Sequence, residues 1–166
     1  MKIALFITLL LISLSAQTNR LDEWDALMNS QALSEIDKLQ AVNTFFNRIE
    51  YRRDQDQWGK ADYWASPEEF LTVGAGDCED FAIAKYITLK KMGVSAETLF
   101  LTYVITTEPH MVLLYQSQAE SLVLDNVVQD IQPAHNLNIV YQFNDSGIWM
   151  NGKRVGDVSN IGNWIF

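Results

Sequence analysis

The 166-residue chain is short of several residue types, and each shortage excludes something. It has one cysteine, three prolines, two histidines, and 12 Lys and Arg against 21 Asp and Glu. A single cysteine cannot close an internal disulfide, so the fold rests on its core, with or without a bound ion. One cysteine and two separated histidines match no tight zinc spacing. A net charge of −9 with no basic stripe argues against nucleic acid as a partner. The longest apolar run, Ile3 to Leu14, is shorter than the ~20 residues a membrane-spanning helix needs.

Apolar residues are not scarce. They make up 48% of the chain, with five Trp, six Tyr and eight Phe. That composition builds one packed domain and is unlike disorder. The first residues stand apart. Met1-Lys2, the apolar run and Ser15-Ala16 have the parts of a secretory signal peptide over residues 1–16. An uncleaved anchor is the alternative. The mature domain is then 17–166, exported and without membrane insertion after cleavage. A lone cysteine in an exported chain is either buried and inert or kept for its reactivity.

The pattern predicts helices first and strands later. Leu21 to Leu39 reads as helical with a break near Asn29-Ser30-Gln31, and a long helix continues to about Tyr51. Ser66-Pro67-Glu68-Glu69 is a helix-start signature, and that short helix ends at Gly74. Phe81 to Gly93 predicts a helix with Cys78 at or just inside its N-terminus. Strands follow at 98–106, 110–116 and 121–128, with an edge strand at 139–143 and a hairpin turning at Asn151-Gly152. The fold class is α+β: N-terminal helices and a cysteine helix packed on an antiparallel sheet.

The chemistry gathers around Gly76-Asp77-Cys78-Glu79-Asp80. Cysteine hydrolysis needs a thiolate, an imidazole and a group that fixes the imidazole. Cys78 opens a helix, where free N–H groups and the dipole favour a thiolate. His110 opens a strand and Asp125 ends the next one, so a meander can bring them together. The bland readings are a buried small hydrophobe for Cys78 and a turn residue for Asp125. His135 lies in a loop signature and reads as surface. Asp77 and Glu79 oppose a thiolate beside them. A bound Ca²⁺ would offset their charge, with Asp54, Asp56 and Asp62 as further candidates. The spacing matches no EF-hand loop, and plain helix-start acids are the alternative.

These residues also carry a family resemblance. Asp62-Tyr63-Trp64-Ala65-Ser66-Pro67-Glu68-Glu69-Phe70-Leu71, Gly76 to Tyr86, His110-Met111-Val112-Leu113, Leu124-Asp125-Asn126 and Gly147-Ile148-Trp149 resemble the bacterial transglutaminase-like cysteine proteinases. The likeness runs from about Phe45 to Trp149. It implies a papain-like fold in the transglutaminase arrangement. It implies Cys78 as nucleophile, His110 as base and Asp125 as its orienting group. It implies Ca²⁺ held by Asp77 and Glu79, with Asp62 as a further ligand. It implies a periplasmic endopeptidase that cuts a large repeat-containing adhesin near its N-terminus, releasing it and promoting biofilm dispersal. The implied inhibitor is the periplasmic domain of a membrane receptor for cyclic di-GMP. The rivals are a transglutaminase-like acyl transferase and an inactive calcium-dependent binding module. The tail from Asn151 to Phe166 departs from the pattern, as either a strand of the fold or a partner surface.

Overall fold

The computed structural model describes residues 19–30 and 32–158. The signal-peptide segment and the apolar end of the tail lie outside the described residues. No helix among the described residues is long and apolar enough to cross a membrane.

Helix α1 runs through residues 19–28. Its Trp24 is buried, and the indole N–H donates to Thr88 Oγ1 at 2.8 Å. Helix α2, Glu35–Phe46, starts at Ser34, whose side chain accepts from Asp37 N. Leu39, Val42, Phe45 and Phe46 form its buried stripe. The helix stops at Phe46, five residues before the predicted end. Asn47 caps it and sends its side-chain amide to the Asp125 carbonyl at 2.8 Å and the Val128 carbonyl at 3.0 Å. That reach fixes the exit, and Glu50–Tyr51 leaves as a short strand β1, parallel to β2, Ala75–Gly76.

Between them lie α3, the single turn Asp54–Gln57, and α4, Pro67–Val73. The predicted α4 start is present: Ser66 accepts from Glu69 N while Glu69 accepts from Ser66 N. Gly74 ends it in the left-handed region at φ 76°, which a residue with a Cβ rarely adopts.

Helix α5, Cys78–Lys91, is the centre. It is buried on nearly every side, through Phe81, Ala82, Ile83, Ala84, Tyr86 and Leu89. A helix apolar all round must be covered all round. Helices α2 and α4 and the sheet do so. Strands β3 (Leu99–Ile105), β4 (Pro109–Gln116) and β5 (Ser121–Leu124) form the expected antiparallel meander. Strands β6 (Gln132–Pro133), β7 (Ile139–Asn144), β8 (Gly147–Met150) and β9 (Lys153–Gly156) complete a sheet of order β6-β5-β4-β3-β7-β8-β9.

Two expectations change. Strand β5 ends at Leu124, because the chain turns there into the loop held by Asn47. The strand predicted at an edge, β7, is interior. It crosses over to the free side of β3 and pairs with β8 as well. Phe143 on β7 is buried and stacks on Trp64, 6.1 Å away, which an edge position would not provide. The β8–β9 hairpin turns at Asn151 (φ 50°) and Gly152 (φ 71°), as that dipeptide predicts. The α+β architecture, helices on one face of an antiparallel sheet, is as the sequence leads one to expect.

Candidate active site

The N-terminus of α5 is built tightly. Asp77 is its N-cap and Cys78 its first residue. Asp80, one turn on, accepts from Ala65 N at 2.7 Å and from Asp77 N at 3.3 Å. The Ala65 bond ties the α3–α4 segment to the cysteine helix. Burial pushes the Asp80 carboxyl up to about 7, against those two hydrogen bonds.

His110 and Asp125 meet across β4 and β5. The register sets Leu113 opposite Leu124. Continued one step, it carries Asp125 opposite Val112, diagonal to His110 on the same side of the sheet. His110 Nε2 lies 2.9 Å from Asp125 Oδ1, and that oxygen also accepts from Val127 N at 3.0 Å. Burial opposes ionisation of Asp125. The hydrogen bonds from His110 and Val127, with the charges of His110 and Lys85, outweigh it and hold the carboxyl below its ordinary value.

Cys78 and His110 line one cleft of about 520 Å³, with Tyr51, Asp54, Asp62 and Asp77 among its walls. Cys78 is half-buried and unbridged. Its Sγ lies 3.1 Å from Glu79 Oε2 and accepts from Met111 N. Burial pushes the thiol well above its usual range, and Glu79 adds to it. The helix dipole favours the thiolate, but here the carboxylates and burial outweigh it.

Those carboxylates form a cluster. One oxygen each of Asp54, Asp77 and Glu79 lies within 4.8 Å of the others. Burial and then Glu79 push the Asp77 carboxyl up to about 9. Asp54 and Asp62 are raised as well, burial again the leading cause. Asp62, which also lines the cleft, hydrogen-bonds to Glu79. Asp54 is buried, one of its oxygens accepting from Tyr63 N. The other, Asp54 Oδ1, and Asp77 Oδ1 are buried with no hydrogen-bond partner. Buried acceptors without donors are costly, and a hard cation taking oxygen ligands would satisfy them. The residues present therefore fit Ca²⁺. Of the further acids named from sequence, Asp54 joins the tight cluster, Asp62 borders it, and Asp56 is exposed on α3. His135 sits apart in the loop after β6.

Sequence reasoning missed what lies behind the site. Lys85 on α5 is buried and donates to Asn43 Oδ1 at 2.8 Å. The available signal was a lysine inside an otherwise apolar helix, seven residues after the cysteine.

Comparison with known proteins identifies the family. The profile of the family described as "Bacterial transglutaminase-like cysteine proteinase BTLCP" matches residues 16–152. Legionella pneumophila LapG in its calcium-bound form superposes with a TM-score of 0.77 at 35% identity, covering 92% of this chain and 91% of that one. EGTA-treated LapG from the same organism gives 0.79 at 35% identity, covering 92% and 90%. A third LapG structure gives 0.78 at 36%, with the same coverage. No curated protein sequence matches. With most of its length matched in sequence and in fold, the chain belongs to the bacterial transglutaminase-like cysteine proteinases.

Proposed function

We propose that this chain is a calcium-dependent periplasmic cysteine endopeptidase that cuts the N-terminal region of a large surface adhesin. The observation that carries the reading is the convergence on one cleft. Cys78 at a helix start, His110 with Asp125 hydrogen-bonded to its ring, and a carboxylate cluster with orphaned buried oxygens meet there, with Cys78, His110 and the carboxylates lining the cleft. The similarity to LapG, solved with calcium and after EGTA, supports the ion.

In this reading His110 uses Nδ1 toward Cys78, since Nε2 is engaged by Asp125. It takes the thiol proton, Cys78 Sγ attacks the peptide carbonyl, and His110 returns the proton to the leaving amine. Water then hydrolyses the thioester. The backbone N–H of Cys78, unpaired within the helix's first turn, stabilises the oxyanion. Asp54, Asp77 and Glu79 would hold Ca²⁺, with Asp62 at their border. When bound, the ion supplies positive charge that offsets the carboxylates beside the thiol. The cut would release the adhesin and favour biofilm dispersal. The periplasmic domain of a cyclic di-GMP receptor would act as the inhibitor.

The test is incubation of the mature chain with N-terminal adhesin fragments, followed by intact mass spectrometry. A discrete cut that is lost in Cys78→Ala and lost on chelation is expected. Equal cutting by Cys78→Ala would sink the mechanism. Addition of an amine in place of water would identify the acyl-transferase alternative by product mass. Slow thiol alkylation with calcium present, and no cut, would favour the binding module.

A further inference from the structure

Lys85 is a positive charge with 0% exposure in the middle of the core helix. It lies seven residues, two helical turns, beyond Cys78 and therefore on the same side of α5. Burying an ammonium is expensive unless something is gained by it. Among the described residues its Nζ donates to Asn43 Oδ1 at 2.8 Å, and Asn43 is equally buried. An ammonium has only donors, so it dictates which way the Asn43 amide points. The Asn43 Nδ2 is thereby turned to the Gln129 carbonyl at 2.9 Å and the Val128 carbonyl at 3.5 Å. One turn along α2, Asn47 Nδ2 donates to the carbonyls of Asp125 and Val128. The loop that begins with Asp125 is thus stapled to α2 by two amides, one of them set by Lys85. Asp125 is also the anion whose charge acts on Lys85, opposing the burial that brings the lysine down to about 7.

We propose that Lys85, with Asn43 and Asn47, is a positioning network for the Asp125–His110 pair: it fixes the loop that carries Asp125. The proposal rests on the reading of Cys78, His110 and Asp125 as a triad. Lys85 touches no substrate and acts through Asp125. α2 contributes amides to the network, while the charged partners are Asp125 and, through it, His110 on β4.

The experiment uses the calcium-loaded mature chain and four proteins: wild type, Lys85→Met, Asn47→Ala and His110→Ala. Melting temperature and the rate of Cys78 alkylation by iodoacetamide are read at several pH values. Lys85→Met keeps the stem and removes the charge. It leaves the buried Asn43 Oδ1 without its donor, so it should melt below the wild-type temperature while still folding. It should alkylate several-fold more slowly than wild type at every pH, because the Asn43 amide is no longer held toward the loop that carries Asp125. Asn47→Ala should slow alkylation several-fold at every pH while the fold persists. A merely structural lysine would move the melting temperature and leave the alkylation rate alone. The proposal is overturned if both Lys85→Met and Asn47→Ala alkylate like wild type while His110→Ala is slow. If Lys85→Met does not fold, Asn47→Ala and wild type decide. If His110→Ala reacts like wild type, the triad reading fails, and that failure is separately visible.

Discussion

Asp80 Oδ2 occupies the space in which a side chain on Gly76 would begin. A Cβ on Gly76 would also stand 2.8 Å from the Phe70 ring. Both neighbours are buried and held: Asp80 by Ala65 N and Asp77 N, Phe70 by packing against Phe81 at 4.8 Å. Neither can move without disturbing the start of α5. Gly76→Ala should therefore destabilise the protein by about 1–3 kcal/mol, the usual cost of overpacking a core. A thermal melt checks this, and an unchanged melting temperature would mean that the contact relaxes freely.

Asp125 is expected to act by accepting hydrogen bonds at one oxygen. Oδ1 takes both the His110 ring and the Val127 N–H. An asparagine carbonyl can accept the same two bonds, and Cys-His-Asn sites are a known variant of this chemistry. Asp125→Asn should then retain activity within about tenfold of wild type, whereas Asp125→Ala should lose on the order of 10²-fold or more. Steady-state cleavage of a peptide spanning the adhesin cut site reads both. Equal losses in the two variants would show that charge, not hydrogen bonding, is what Asp125 supplies.

Most of this site was legible because its parts are local. Ser66 to Glu69, Gly74 and the Cys78 helix start are written within a few residues each, and capping chemistry reads at that range. The strands of the meander were legible from their period, and their order from short turns. Long-range partners were not. Nothing near Ile139 to Asn144 says that it passes β5 to join β3. Nothing near Asn47 says that it reaches a carbonyl at position 125, so the end of α2 was misplaced. Lys85 looked like an ordinary helix residue because its meaning depends on Asn43, 42 positions away.

The acids near the cleft differ in ways that composition hides. Asp54 and Asp56 are two residues apart on one helical turn, yet Asp54 is buried in the cluster and Asp56 is exposed. Calcium should raise the melting temperature of wild type, because an ion that binds only the folded state stabilises it by about 2.7 kcal/mol at a hundred times its Kd. Asp54→Asn should lose most of that rise, and Asp56→Asn should keep it. Calorimetric titration gives the affinities directly. If both variants keep the rise, the ion binds without Asp54.

Stability of the ion-free protein should fall as pH rises, and the sign follows from the cluster. Burial and neighbouring carboxylates raise the folded pKa of Asp77 to about 9 and of Asp80 to about 7, with Asp54 and Asp62 raised as well. Unfolded, these groups ionise near pH 4. Between those limits the folded state binds more protons than the unfolded state. The slope of unfolding free energy with pH is then negative: the stabilisation is whole below about pH 4 and drains away as pH rises toward 9. Lys85, brought down to about 7, acts oppositely, but only from about 7 upward to the unfolded lysine value. Asp125 and Glu69, both held below their ordinary values, also act oppositely, but only up to about pH 5, so the clean window is about pH 5 to 7. Calcium should flatten the slope there, since it favours the ionised carboxylates that the bare cluster disfavours. Melting temperatures across pH 5 to 7, in EGTA and in calcium, measure both slopes. A flat profile in EGTA would mean that the carboxylates are already relieved without the ion, and the case for a cation at Asp54, Asp77 and Glu79 would lose its electrostatic basis.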